Sequence, residues 1–344
     1  MKVGYVYDPI YLRHDTGPHV EVHQRLEAIL AHLEKTGLKQ KLTHVASCPA
    51  TIDEIALVHH RQYIAHIQEM ALRGGGWLDV DTLMSADSYD AALCAAGGVI
   101  SGTDRVMTGE LNSAFALVRP PGHHATYQQA MGFCLFNNIA IAARYALNRY
   151  SLDRIAIIDF DVHHGNGTQE AFYEDPKVSY ISTHQHPHYP GTGTIEETGN
   201  GKGKGNIVNV PMPIGCGDSE YSLVYEQIVR PAVRRFKPQL IMVSAGYDAH
   251  WADELSMEQL SVTGFARITR TIRELAEELC QGRLVLTLEG GYNLRALAES
   301  VKATFDALLG SEKIEDTLGP PPYRVATPNP ATLIEAVKKL HDLP

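Results

Sequence analysis

Apolar residues recur along the chain in two rhythms. Short runs rich in β-branched residues, Ser113–Val118, Arg154–Ile158, Val178–Thr183, Leu240–Ser244 and Leu284–Leu288, predict strands, and alternation over Met1–Asp8 predicts another at the amino terminus. Stretches with apolar residues every three or four positions predict helices over Val22–Lys35, Tyr89–Met107, Asn138–Asn148, Ser219–Phe236, Ser261–Cys280 and Leu294–Leu309. From about residue 87 to 310 the order helix, apolar run, polar or Gly-rich turn repeats, which predicts an α/β fold built on a parallel sheet with crossover helices. No internal repeat or long linker divides the chain, so residues 1–344 read as a single domain. Gly191–Asn206, with six glycines, reads as an exposed loop. Residues 311–344, with the Pro-rich Gly319–Pro322 and a short helix near Ala331–His341, read as a peripheral tail.

Composition narrows the function classes. At 344 residues and 44% hydrophobic, the chain can fill a large core. A formal charge of -10 lacks the clustered cations that nucleic-acid binding needs, so no direct nucleic-acid partner is expected, and it mildly favours cationic substrates. No stretch approaches the roughly 20 apolar residues of a membrane span. The amino terminus carries no secretory pattern, and five scattered cysteines, Cys48, Cys94, Cys134, Cys216 and Cys280, read as reduced thiols of a cytoplasmic protein.

Four predicted strands run into polar clusters, and ligands of open parallel sheets bind beyond the carboxyl ends of strands. Ser113–Val118 leads into Arg119-Pro-Pro-Gly-His123-His124, and Arg154–Ile158 into Asp159-Phe-Asp161-Val-His163-His164-Gly-Asn166. Leu240–Ser244 leads into Ala-Gly-Tyr-Asp248, and Leu284–Leu288 into Glu289-Gly-Gly-Tyr292-Asn293. Asp159, Asp161 and His163 are spaced by two, so in extended chain their side chains share a face. Asp161 and His163 with Asp248 form an oxygen and nitrogen donor set that leaves a coordination position for water, the pattern of a catalytic metal site and not of a closed, Cys-rich structural one. An isolated Asp-x-His pair is more often a salt-bridged loop; the surrounding cluster shifts the reading toward metal. His123 and His124 are acid/base candidates, with Asp159 and Asn166 as partners that would favour a charged and a neutral imidazole respectively. Tyr292, after two glycines, could donate to an oxyanion, although Gly-Gly-Tyr alone is usually a turn. Gly132, Phe133, Tyr189 and His188 could line an apolar channel, though such residues are more often packing.

Taken together, Arg119-Pro-Pro-Gly-His-His-Ala125, Gly132-Phe-Cys-Leu-Phe-Asn-Asn138, Asp159-Phe-Asp-Val-His-His-Gly-Asn-Gly-Thr-Gln169, Ala245-Gly-Tyr-Asp248 and Glu289-Gly-Gly-Tyr-Asn293 resemble the histone deacetylase superfamily, which includes bacterial acetylpolyamine amidohydrolases and acetoin-utilisation proteins. The resemblance runs from about residue 14 to 310 and implies an arginase-like open α/β fold with zinc-dependent amide hydrolysis. It implies zinc on Asp161, His163 and Asp248, with ferrous iron as an alternative, paired histidines at His123 and His124, and a transition-state tyrosine at Tyr292. Asp159 matches the carboxylate behind the first histidine; the second partner is Asn166, as in class II members. Asp81 matches the rim residue that grips substrate backbone, and Gly132, Phe133, Tyr189 and Leu255 fall at the substrate channel. Structural potassium ions are implied near Asp159, Asp161, His163, Ser182 and Thr183, and near Phe172, Asp175 and Val178. The early family signature appears as His19-Val-Glu21-Val-His23-Gln-Arg25 without its two prolines, which predicts an altered entrance loop. Leu255 stands where polyamine-selective relatives carry a glutamate, which weighs against a dedicated polyamine enzyme.

The expected activity is removal of acetyl or short acyl groups from lysine side chains or related small amines. An acetylpolyamine deacetylase and a catalytically weak acyl-lysine binding protein are the alternatives. An arginase-like two-metal enzyme would need more carboxylate ligands, and a metal-stabilised structural protein leaves the paired histidines without a purpose. An oligomer is compatible with the sequence.

Overall fold

The computed structural model describes residues 1–323 and 329–344; the part of the predicted tail at 324–328 lies outside the described residues. Ten strands occur among the described residues: β1 Val3–Val6, β2 Thr43–Val45, β3 Gly75–Trp77, β4 Leu83–Ser85, β5 Ser113–Ala116, β6 Ile155–Asp159, β7 Val178–Gln185, β8 Ile207–Met212, β9 Leu240–Ala245 and β10 Leu284–Leu288. Eight form one sheet in the order β2-β1-β5-β10-β9-β6-β7-β8, every pair parallel. The fold is thus the α/β open parallel sheet flanked by helices that the sequence predicted. Its central strands are buried on both faces, which is why Ile-Ala-Ile-Ile in β6 reads as an unbroken apolar run.

Side-chain alternation along β5 shows the two layers. Ala114 meets Gly102 of the helix Ser88–Met107, while Phe115, on the other face, packs on Phe305 of the helix Leu294–Leu308. Ser88–Met107 can lie close because its glycines leave room; a Cβ on Gly97 would stand 1.8 Å from the Cys48 carbonyl oxygen. On the opposite side Val262–Cys280 turns Phe265, Ile268, Ile272 and Leu275 inward, and the Ser261 hydroxyl caps its start by accepting from the Gly264 amide at 3.2 Å.

Edges and breaks differ from the sequence expectation. β2 and β8 are edge strands, the first only three residues long and the second carrying Pro211 where no ladder donor is needed. The helix expected over Ser219–Phe236 is interrupted by a π turn at Tyr225–Val229, where the Arg230 amide bonds to the Tyr225 carbonyl. Pro231 follows directly and has no N–H to continue the ladder. The helix Arg61–Leu72 and the hairpin of β3 and β4 were not foreseen; the hairpin stands apart from the main sheet and carries residues 78–82. Gly191–Asn206 is only partly exposed: a Cβ on Gly193 would lie 2.6 Å from both His164 and His184. Ala331–His341 buries Ile334 and Val337 in the main core, so the end of the tail is docked.

The amino-terminal segment is fastened to the sheet by a buried ion cluster. Glu21 receives Arg119 at 2.6 and 2.7 Å and Arg25 at 2.8 Å, all three side chains fully buried. Burial opposes the charge on Glu21, but Arg119, His14 and Arg25 hold its carboxyl well below the usual range. Arg25 also donates to the carbonyls of Glu289 at 2.5 Å and Gly291 at 2.7 Å, just beyond β10. Glu21→Ala leaves two buried guanidinium groups without their anion. We expect it to destabilise the fold by about 3–5 kcal/mol, read as a lowered urea midpoint; an unchanged midpoint would show the cluster to be dispensable.

Candidate functional site

β5, β10, β9 and β6 are neighbours in the sheet, so their four polar extensions meet at one edge. The Asp161, His163 and Asp248 donor atoms lie within 4.8 Å of one another, all three residues buried. His163 Nδ1 is 3.0 Å from Asp161 Oδ1 and 3.2 Å from Asp248 Oδ2. One N–H cannot serve both, and Asp248 Oδ2 is buried without a hydrogen bond. Burial disfavours charge on His163, yet the two carboxylates raise its pKa to about 10. Even with that proton two carboxylates face one positive charge, and once a divalent cation displaces it the neutral imidazole nitrogen and the two carboxylates are a donor set of oxygen and nitrogen suited to that cation.

Backbone amides hold these carboxylates. Asp161 accepts from the His163 and Gly290 amides at 2.9 and 2.8 Å, and Asp248 Oδ1 from the Val162 amide at 3.0 Å. Glycine is required for this approach: a Cβ on Gly290 would stand 2.0 Å from Asp248 Oδ2 and 2.6 Å from Asp161 Oδ2.

His123 and His124 lie with ring centres 4.0 Å apart and planes tilted by 44°, but their partners differ. His123 Nδ1 lies 3.1 Å from Asp159 Oδ2, which also accepts from the Tyr180 hydroxyl at 2.9 Å. Although burial works against its charge, Asp161 and Asp159 raise the His123 pKa to about 10. His124 Nδ1 is 2.8 Å from Asn166 Oδ1. Burial and the neighbouring charges on His123 and His163 hold it well below the ordinary histidine value. With Asn166 Nδ2 directed to Met131 and the His124 carbonyl, Asn166 Oδ1 is the acceptor, so His124 carries its proton on Nδ1 and keeps a lone pair on Nε2.

Around this pair the Tyr292 ring lies 4.9 Å from the Arg25 guanidinium and edge-on to Phe133 at 5.8 Å. Burial raises the Tyr292 pKa well above its usual value, keeping the phenol protonated. Tyr189 stands edge-on to His124 at 5.1 Å, and His188 stacks on His163 at 4.8 Å. His188 Nε2 meets the Leu255 carbonyl at 2.9 Å, which brings Leu255 to the same place. A Cβ on Gly132, whose φ is +54°, would sit 2.3 Å from the His124 ring. Asp81 reaches the site through Thr82, whose hydroxyl lies 3.0 Å from Asp81 Oδ1 and accepts from the Phe133 amide at 3.1 Å.

The residues marked for potassium fall in two places. Asp159 pairs with Ser182 across β6 and β7, and the Thr183 hydroxyl approaches the Asp159 carbonyl at 3.4 Å. The turn of Phe172, Asp175 and Val178 lies apart from it, and there the Asp175 carboxylate already pairs with Arg144, whose guanidinium sits 4.6 Å over Phe172.

Glu289, Asp253 and Tyr180 also belong to this site although the sequence assigned them no part. Glu289 accepts from the Gly122 amide at 2.7 Å, the His123 amide at 3.2 Å and the Ser244 hydroxyl at 3.0 Å, and burial lifts its pKa to about 7. Its place at the end of an apolar run was a signal; Asp253 and Tyr180 had none. Among the described residues no helix is long and apolar enough to cross a membrane.

A model of the histone deacetylase domain matches residues 19–308. Histone deacetylase 10, chloroplastic, of Oryza sativa subsp. japonica is 43% identical over 349 residues, spanning 96% of this chain and 79% of its own. A probable deacetylase of Archaeoglobus fulgidus is 42% identical, covering 86% of this chain and 82% of its own, and a histone deacetylase-like amidohydrolase of Pseudomonas aeruginosa is 39% identical, covering 84% and 75%. The crystal structure of the HDA15 HD domain superposes with a TM-score of 0.89 at 33% identity, over 99% of this chain and 94% of that one.

Gly290→Ala forces a methyl group between two donor carboxylates. We expect it to weaken divalent-cation binding by about 10- to 100-fold, measured by competition with a chromogenic chelator; native affinity in this variant would locate the cation elsewhere.

Proposed function

The chain belongs to the histone deacetylase family of amide-cleaving hydrolases, and on that premise we propose that it is a zinc-dependent deacylase removing acetyl or short acyl groups from lysine side chains or related small amines. The observation that carries this reading is the buried trio Asp161, His163 and Asp248, with a carboxylate oxygen that no protein donor satisfies, beside two histidines with opposite partners.

Zinc held by that trio would supply Lewis acidity, polarising an acyl carbonyl and lowering the pKa of water from about 15.7 toward about 7; ferrous iron suits the same donors. The protein's own groups account for the proton movements. His124, neutral and with Nε2 free, takes the proton of the attacking water as the new C–O bond forms. The same nitrogen returns it to the amine as the C–N bond breaks. His123, charged against Asp159, supplies fixed positive charge, and the Tyr292 phenol donates to the developing oxyanion. Phe133 and Tyr189 flank the alkyl chain of the amine, Leu255 narrows the wall, and Asp81 accepts from substrate backbone at the rim. Potassium, on the family pattern, would support the loop after β6; at Asp175 it would compete with Arg144. The protein is proposed to act in the cytoplasm, with no nucleic-acid or membrane partner and with self-association as an option.

Turnover of a fluorogenic acetyl-lysine peptide and of acetylputrescine is expected to vanish with chelator and return with zinc; turnover that survives metal removal would overturn the reading. Tyr292→Phe should lose about 100- to 1,000-fold in kcat with its metal content unchanged, and full activity would remove the phenol from the mechanism. Asn166→Asp puts a carboxylate on His124 Nδ1, favouring imidazolium, so the acidic limb of kcat/KM should move to higher pH. An unmoved limb would assign the base elsewhere.

A further inference from the structure

Glu289-Gly290-Gly291-Tyr292-Asn293 leaves β10 through a turn whose Gly291 has a φ of +113°, so the backbone before Tyr292 has a freedom that other residues would deny it. Such a segment needs outside fastening if a phenol is to hold one position. Arg25 fastens its acceptors, the carbonyls of Glu289 and Gly291. Its donors converge on a single buried carboxylate: Asp253 Oδ2 accepts from the Tyr292 amide at 2.6 Å and the Asn293 amide at 2.9 Å. The other oxygen, Oδ1, accepts from the Leu255 amide at 3.1 Å. Asn293 adds a second tie, donating from Nδ2 to the Ala252 carbonyl at 3.0 Å, while its Oδ1 caps the next helix at the Ala296 amide.

The geometry points to Asp253 as the positioning residue of the Tyr292 loop, locking that loop to the segment that also carries Asp248 and Leu255. Asp253 itself donates nothing to a substrate; it acts through Tyr292. Without its oxygens two adjacent amides lose their acceptor, and the glycine pair lets Tyr292 leave the site. The consequence for rate is that of misplacement, where about 1 Å can cost about 100-fold. The kinetic half of this inference rests on the deacylase reading above, whereas the structural half does not.

Two measurements separate them. Hydrogen exchange across residues 289–297 should accelerate at Tyr292 and Asn293 in Asp253→Ala, and less so in Asp253→Asn, which keeps one acceptor oxygen. In steady-state kinetics Asp253→Ala should lower kcat by about 100-fold with KM within about twofold of wild type. On a Tyr292→Phe background the same substitution should cost nothing further, because the residue through which it acts is already disarmed. Unchanged exchange in both variants, or an equal loss of rate on both backgrounds, would overturn the proposal. If Asp253→Ala does not fold, Asp253→Asn supplies both readouts. A wild-type protein without deacylase turnover would refute the activity, and the exchange result would still decide the role of Asp253.

Discussion

Four carboxylates, Asp159, Asp161, Asp248 and Glu289, are buried at the ends of three adjacent strands, and the surrounding structure is arranged around the cost of that concentration of charge. Ions removed from water are expensive to bury unless paired and hydrogen-bonded, and like charges close together raise the cost. Each carboxylate receives backbone amides or hydroxyls: Asp159 the Asp161 amide and Tyr180, Asp161 the His163 and Gly290 amides, Glu289 three donors. Those donors can approach only where no Cβ intervenes, which accounts for glycine at 165, 246 and 290, where a Cβ would stand within 2.4 Å of an Asp oxygen. No backbone amide or hydroxyl reaches Asp248 Oδ2, which has only His163 Nδ1 at 3.2 Å beside it, and the remaining negative charge suits the site to a bound cation.

The same constraint divides the two histidines. With ring centres 4.0 Å apart in a buried place, they cannot both be charged without a large repulsion, and the carboxylates lie on the side of His123. His123 takes the charge, and His124, given only an amide oxygen, stays neutral. A charged carboxylate on Asp159 against an uncharged amide on Asn166 is therefore enough to separate a charged from a neutral imidazole in chemically identical side chains.

Most of the Asp161, His163 and Asp248 trio and the histidine pair was legible in the sequence because each cluster is contiguous and begins where an apolar run ends. Asp161 and His163 share a face by their spacing, and that spacing survives in the structure as a 3.0 Å contact. Asp253 was not legible: its three amide partners include two 39 and 40 residues away, and an Asp in a polar loop has no pattern to betray it. Edge strands escaped for a related reason, since β2 and β8 are short or contain proline and lack the apolar run of a strand buried on both faces. The glycine-rich segment 191–206 looked exposed from composition, yet Gly193 is glycine because His164 and His184 leave no room for a side chain.

The buried charge cluster and the residues proposed to contact a substrate are built on different parts of the fold. The carboxylates and histidines sit on or directly after central strands, where packing on both sides fixes them within small tolerances. The residues proposed for the channel wall come instead from segments outside the sheet: Asp81 from the hairpin of β3 and β4, Phe133 from a turn with φ of +70°, Tyr189 from the stretch after β7, and Leu255 from the loop beyond β9. His19 touches Phe133 at 4.6 Å, so even the altered amino-terminal signature reaches this wall, while Glu21 and Arg25 of the same signature remain in the buried ion cluster. The segment without the two prolines thus keeps its anchoring charges, Glu21 and Arg25, while its His19 packs on Phe133. On the proposed reading these loops select the amine, and substitutions there would leave the buried charge balance in place.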